Sequence, residues 1–171
     1  ALFDHLASQT VVIPDASWND ARIDAVSEAV VAGLDPGAEA YTFINLGKVL
    51  DWAGKFEEAY NLFKRALDIL GPNAAIYDRL ARSSYGLGKY DEAIHYLHEL
   101  QHIAPEIPGA HSRLAMIYER LGKTDAAIEH CRAELEIKPD DHHVHAALAN
   151  LLVNKGDDAA AFAHYNTAPQ L

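Results

Sequence analysis

The sequence predicts an all-α solenoid of antiparallel helix hairpins, and three observations carry that reading. Gly54, Gly88, Gly122 and Gly156 recur every 34 residues. Laid out on that period, small and apolar residues fall in matching columns spaced as one face of a helix of period 3.6. Pro105 and Pro139 close two of the units, and Gly71-Pro72 closes the first.

The period divides the chain into units 40–73, 74–107, 108–141 and a shorter fourth, 142–171, preceded by residues 1–39. Ahead of the units, Ser17 is an N-cap candidate, and Ile23, Val26 and Val30 form an apolar stripe ending near Gly33. A helix over roughly 18–33 then stands in for a second repeat helix and makes 1–39 an N-terminal cap, a half-repeat. Leu2, Phe3 and Leu6 suggest a short further helix, and Val11-Val12-Ile13-Pro14 an extended connector.

Within each unit, positions four, seven, eight and eleven share a helix face; in the first they are Phe43, Leu46, Gly47 and Leu50. Position seven is Leu46, Leu80, Leu114 and Leu148, and position eight is always small: Gly47, Ala81, Ala115, Ala149. The recurring glycine supplies the turn. Acidic residues then open a second helix (Glu57-Glu58, Asp91-Glu92, Asp125, Asp157-Asp158), where negative charge offsets the positive end of the helix dipole. Ala59, Ala93, Ala127 and Ala161 at position twenty allow the paired helices to approach closely. One such hairpin has too little core of its own and must stack on neighbours.

Asn45-Leu46-Gly47, Gly54-Lys55-Phe56-Glu57-Glu58-Ala59 and Gly88-Lys89-Tyr90-Asp91-Glu92-Ala93 resemble the consensus of the tetratricopeptide repeat family, over residues 40–171. The resemblance implies a right-handed superhelical solenoid that holds protein segments in a concave groove. The pattern decays toward the C-terminus: the aromatic of position four becomes His111 and His145, and the small residue of position twenty-seven becomes Leu100 and Glu134. The carboxylate clamp by which some relatives hold chaperone C-termini is disfavoured. Its five places read Ile44, Lys48, Arg79, Gly109 and Arg113, and only Arg113 matches.

The first helix of each pair is expected to line the groove with positions two, five, six, nine, twelve and thirteen. Lys48, Arg79, Arg82, Arg113 and Arg120 there oppose Asp51, Asp78 and Glu119, a balance of +2 against −13 for the rest of the chain. Arginine suits planar carboxylates, and Trp52 and Tyr85 offer apolar anchoring faces, so the expected ligand is a peptide with acidic groups or a free carboxylate. The expected peptide-binding residues are Lys48, Trp52, Arg79, Arg82, Tyr85, Arg113, Arg120 and Asn150. The plain alternative is a solvated face with pairs such as Asp78–Arg82 one turn apart.

Composition sets the bounds. Half of the 171 residues are hydrophobic and 23% are charged, which is globular, and the net charge of −11 argues against nucleic acid or an anionic membrane as partner. No uncharged apolar run approaches the ~18 residues a membrane span needs, so no membrane insertion is expected. Residues Ala1 to His5 lack the basic-then-apolar order of a signal peptide. One cysteine excludes an internal disulfide and a multi-thiolate zinc site, and Cys131 falls in the buried column of Phe63, Leu97 and Tyr165.

His98-Glu99-Leu100-Gln101-His102 matches the zinc-protease pattern H-E-x-x-H. The repeat turns His95, His98 and His102 outward, Pro108 stands where a third ligand would follow, and a convex helix offers no cleft. Gly86-Leu87-Gly88 follows no strand and is not a nucleotide loop. His111 and His145 are expected to pack between repeats, with His130 pointing away from Cys131; His142, His143 and His145 mark a repeat boundary. Met116 alone is too little for a methionine-rich surface. The expected function is a non-catalytic protein-interaction module without cofactor or metal. The alternatives are the docking arm of a larger enzyme, or self-assembly through an open C-terminal end where Leu151, Leu152, Phe162 and Tyr165 meet water.

Overall fold

The computed structural model describes residues 36–167, which form eight α-helices and no strand. The expected cap helix at 18–33, the short helix near Leu2 and the Val11–Pro14 connector lie outside the described residues. The described residues fall into two units, the first ending at Pro72 and the second beginning at Asn73.

The first unit holds α1 (Pro36–Trp52) and α2 (Phe56–Leu70), packed as a hairpin. Proline suits the first helical position, where its missing N–H has no acceptor to lose. Phe43, Gly47 and Leu50 of α1 close on Ala59, Leu62, Phe63 and Ala66 of α2. A Cβ at position 47 would stand 2.6 Å from the Phe63 ring, so this hairpin needs glycine where the others carry alanine. Leu46 is only half-buried, unlike its counterparts in the later units. Asp51, expected on the groove face, is 3% exposed, and its burial removes one of the three carboxylates counted there.

The second unit stacks three hairpins: α3 (Ala74–Gly86) with α4 (Tyr90–Ile103), α5 (Ala110–Arg120) with α6 (Thr124–Ile137), and α7 (His142–Lys155) with α8 (Asp158–Thr167). α4 packs on α5 and α6 on α7, so each interior helix is covered on two sides. Leu80, Leu114 and Leu148 are fully buried, beside Ala81, Ala115 and Ala149. The turn glycines Gly88, Gly122 and Gly156 all take positive φ, between 70° and 84°, a region that side chains with a Cβ rarely adopt.

The starts of the first helices differ, and one of them explains a departure from the repeat. Asn73 caps α3, accepting from the Ala75 and Ile76 N–H groups, and Asp141 caps α7, accepting from His143 and Val144. α5 begins after Gly109, which has no side chain to accept with. Glu134 of α6 takes over that role from outside the helix: the Gly109 N–H donates to it at 2.6 Å and the Ser112 N–H at 3.1 Å. Its carboxylate is 1% exposed, and a buried acceptor facing two helix N-terminal donors also meets the positive end of the dipole. The out-of-pattern residue at position twenty-seven is thus the missing cap.

The open end differs from expectation in one half. Leu151 and Leu152 are buried, joined to the cluster of Ala115, Ala127, Ile128, Cys131 and Ala161, because α8 and α6 cover α7. Phe162 and Tyr165 are exposed, at 68% and 41%.

Glu134→Ala leaves two part-buried donors at the start of α5 without their acceptor and is expected to destabilise the protein by ~1–3 kcal/mol. Glu134→Gln, which keeps one acceptor oxygen, should cost less. Urea unfolding of the three proteins checks the order.

Candidate functional site

On the second unit, the first helices of the hairpins border two adjoining hollows. One, of 280 Å³, lies between α3, α4 and α5 and is lined by Ala81, Arg82, Tyr85, Leu97, Arg113, Met116 and Ile117. The other, of 230 Å³, lies between α5, α6 and α7, where Ser112, Ala115, Met116, Cys131, Ala147 and Leu151 form its wall and Glu119, Asp141 and His143 its polar margin. Met116, 47% exposed, borders both. Small residues at position eight and medium ones at position twenty-four make the floor, because they leave room between neighbouring first helices.

Of the expected binding residues, Arg82, Tyr85 and Arg113 come together around the first hollow. The Tyr85 ring packs on that of Tyr90 at 5.7 Å, which holds it at the rim. Arg113 is ion-paired to Asp78 of α3 at 2.6 Å, a contact between hairpins where the sequence suggested Asp78–Arg82 within one helix. That pair offsets part of the Arg113 charge, and both side chains are partly open to water.

The rest fall elsewhere. Arg79 is half-buried on α3 and Arg120 exposed in the last turn of α5, where a cation complements the helix dipole; neither lines a hollow. Asn150, at the repeat position of Met116, accepts a hydrogen bond from the Tyr165 hydroxyl at 2.5 Å. Lys48 and Trp52 are exposed on α1 in the first unit, Trp52 at 75%.

Sequence reasoning passed over Met116 as a lone methionine, yet it is the residue the two hollows share. Its signal was its column: position nine carries Arg82, Met116 and Asn150. The margins of the hollows differ in charge, with Arg82 and Arg113 at one and Glu119 and Asp141 at the other. Lys138, hydrogen-bonded to Asp141 at 2.8 Å, holds that carboxyl below its ordinary pKa, helped by the Val144 and His143 N–H groups.

Cys131 lies at the floor of the second hollow but is 1% exposed. Burial pushes its thiol up to about 11, with Glu119 and Glu134 adding to the shift. A thiol so placed is a weak nucleophile. His95, His98 and His102 are exposed on α4, and among the described residues no group of three or more His, Cys, Asp or Glu is placed to hold a metal ion. His111 and His145 are half-buried, and the ring each meets is on the partner helix of its own hairpin, because position four faces position twenty-three there.

Stacked helix hairpins with a turn glycine every 34 residues define a helical-repeat scaffold of the kind that holds other proteins. The sequence profile of the tetratricopeptide repeat matches residues 53–121 and 84–151, and the chain belongs to that family. Among solved structures it is similar to a crystal structure of MamA, with a TM-score of 0.76 and 21% identity over 86% of this chain and 87% of that one. A second MamA crystal structure gives a TM-score of 0.74 at 21% identity, over 87% of this chain and 80% of that one. MamA (41-end) from Desulfovibrio magneticus RS-1 gives 0.70 at 17%, over 85% and 90%. At these identities the likeness is one of fold. A search of curated proteins returns no match.

Cys131 is expected to resist a disulfide-exchange reagent at about pH 8 in the folded protein and to react fully once unfolded. Absorbance of the released thiolate, with and without denaturant, measures both.

Proposed function

We propose that this chain is a non-catalytic interaction module whose paired hollows receive an extended peptide segment, with an acidic side chain or a free C-terminal carboxylate beside Arg82 and Arg113. The observation that carries the reading is the adjacency of two largely apolar hollows that share Met116, with two guanidinium groups at the margin of one. Apolar concavities with a few polar groups are the usual form of a ligand site. Arginine accepts a carboxylate in two parallel hydrogen bonds. Glu119 and Asp141 at the other hollow disfavour acidic residues there, so a bound peptide has one preferred direction: its acidic end toward α3 and a neutral or basic part toward α7. The chain's net charge of −11 repels acidic polymers in general, which makes local cations the basis of selectivity and excludes nucleic acid from this reading.

The test is an array of short apolar peptides, each synthesised with an acidic C-terminal residue and a free carboxylate, and again with that end neutral and amidated. The free-carboxylate forms should bind more tightly. Arg82→Glu and Arg113→Glu should each weaken that binding by roughly tenfold or more, and Met116→Asp should weaken both forms. Helicity and melting temperature are measured alongside, since Arg113→Glu also breaks the pair with Asp78. Equal binding of the two forms by the parent protein would reject the carboxylate reading.

The exposure of Phe162 and Tyr165 on α8 favours one additional reading, in which hairpin four packs against a second copy of the chain. Light scattering should then report a dimer that Phe162→Ser with Tyr165→Ser converts to monomer; an unchanged mass removes the idea.

A further inference from the structure

The fourth position of the first helix and the twenty-third position of the unit meet across the second, third and fourth hairpins, and their chemistry changes along the chain. In the first hairpin they are Phe43 and Leu62, both buried. In the second they are Tyr77 and Tyr96, stacked at 6.1 Å. In the third and fourth they are histidine pairs, His111 with His130 and His145 with His164. In both pairs the two Nδ1 atoms lie 2.9 Å apart and the ring centres 5.2 Å apart. A centre-to-centre distance equal to the nitrogen separation plus two ring radii means that the nitrogens point head-on along one line.

Head-on nitrogens at that spacing share a proton. A metal ion does not fit between them, since each bond to it would need ~2.0–2.1 Å. Nor can two N–H groups face each other there, so each pair closes only while one of its two Nδ1 atoms is bare. For the second pair the proton can be placed. His145 Nε2 lies 2.9 Å from the Pro139 carbonyl and can only donate to it, which for a neutral ring leaves Nδ1 bare to accept from His164 Nδ1–H. In the first pair, the Gln101 amide nitrogen of α4 lies 3.0 Å from His111 Nε2 and 3.2 Å from its Nδ1, and the Tyr118 ring stacks on His130 at 5.3 Å with planes 2° apart.

We propose that these two pairs are proton-sensitive latches: each holds its hairpin closed while its two rings carry a single proton between their Nδ1 atoms, and protonation of both rings opens it. The charges around them set the direction. Beside the first pair stand His98 on α4 and Glu129 on α6; His98 opposes a further proton and Glu129 favours it. The Lys123 ammonium lies 5.8 Å from the centre of the Tyr118 ring that stacks on His130. Beside the second pair, Arg132 and Glu136 of α6 border the same open hollow, again one of each sign. Burial first, then His111 and His98, hold His130 below the ordinary imidazole value; burial, then His145 and Arg132, do the same for His164. The folded state therefore binds fewer protons than the unfolded chain. The stability the latches confer is complete above the unfolded imidazole value of 6.5 and is lost as pH falls through the folded values. This inference is independent of what the hollows bind.

The experiment moves the second hairpin's own solution into the other two. The full chain is compared with a variant carrying His111→Tyr, His130→Tyr, His145→Tyr and His164→Tyr, and with a second carrying the first hairpin's pair, His111→Phe and His130→Leu. Each is unfolded with urea at about pH 7.5 and about pH 5.5, on either side of the ordinary histidine value. The parent should lose folded-to-unfolded ratio on acidification by up to about tenfold more than the four-tyrosine variant for each pK unit by which a histidine is depressed. The Phe/Leu variant should show part of that protection. An equal acid loss in all three proteins overturns the proposal. Imidazole nitrogen NMR of the parent decides the matter if a variant fails to fold: His145 with bare Nδ1 and His164 with protonated Nδ1 at neutral pH are expected, and four separate titrations at the ordinary value overturn it.

Discussion

In the second unit α5 and α7 are each buried twice, once against the hairpin partner and once against the helix that precedes it, and the rest of that unit follows from this double burial. α5 is the clearest case: Leu114, Ala115 and Ile117 are all buried, with α4 on one side and α6 on the other. No single hairpin supplies enough apolar area to offset its conformational entropy, so the order of each depends on its neighbour. The small residue at position eight is what lets the layers close. Its partner at position twenty-four varies in size, and Gly47 against Phe63 shows the limit, where even a methyl group would collide with the ring.

Close approach of helices also decides where polar groups can be satisfied. The first N–H groups of a helix have no acceptor within it, and Asn73 and Asp141 meet that need locally. Where the third unit begins with Pro108 and Gly109, the need is met from α6 by Glu134. A carboxylate in a column of small and apolar residues looks like decay of the repeat; it is a compensation supplied by the adjacent helix.

The face left over by this packing is the one that carries the hollows. Position eight is spent on the core and position nine is not, so Arg82 and Met116 stand at the edge of hollows whose floors are core residues such as Leu97 and Cys131. Ligand chemistry is then a matter of a few margins. The pairing of Arg113 with Asp78 tempers the cationic margin and orders it, since a guanidinium already held by one carboxylate has fewer rotamers to lose when a second arrives.

Period, turn and helix face were legible in the residues alone, because a hairpin repeated every 34 residues writes each of its contacts several times over. The recurring glycine, the leucine of position seven and the alanine of position twenty say the same thing in each unit. What occurs only once could not be read this way. That Asp78 reaches Arg113 in the next hairpin, that Asp51 is turned inward, and that Glu134 caps the partner helix of its own hairpin are each decided by how the helices pack. The histidine pairs lie between: their spacing of 19 residues is in the sequence, but that two nitrogens meet head-on is not. Local sequence determines which face of each helix is apolar, and only the packing of helix on helix, within and between hairpins, determines which polar groups meet on the faces that remain.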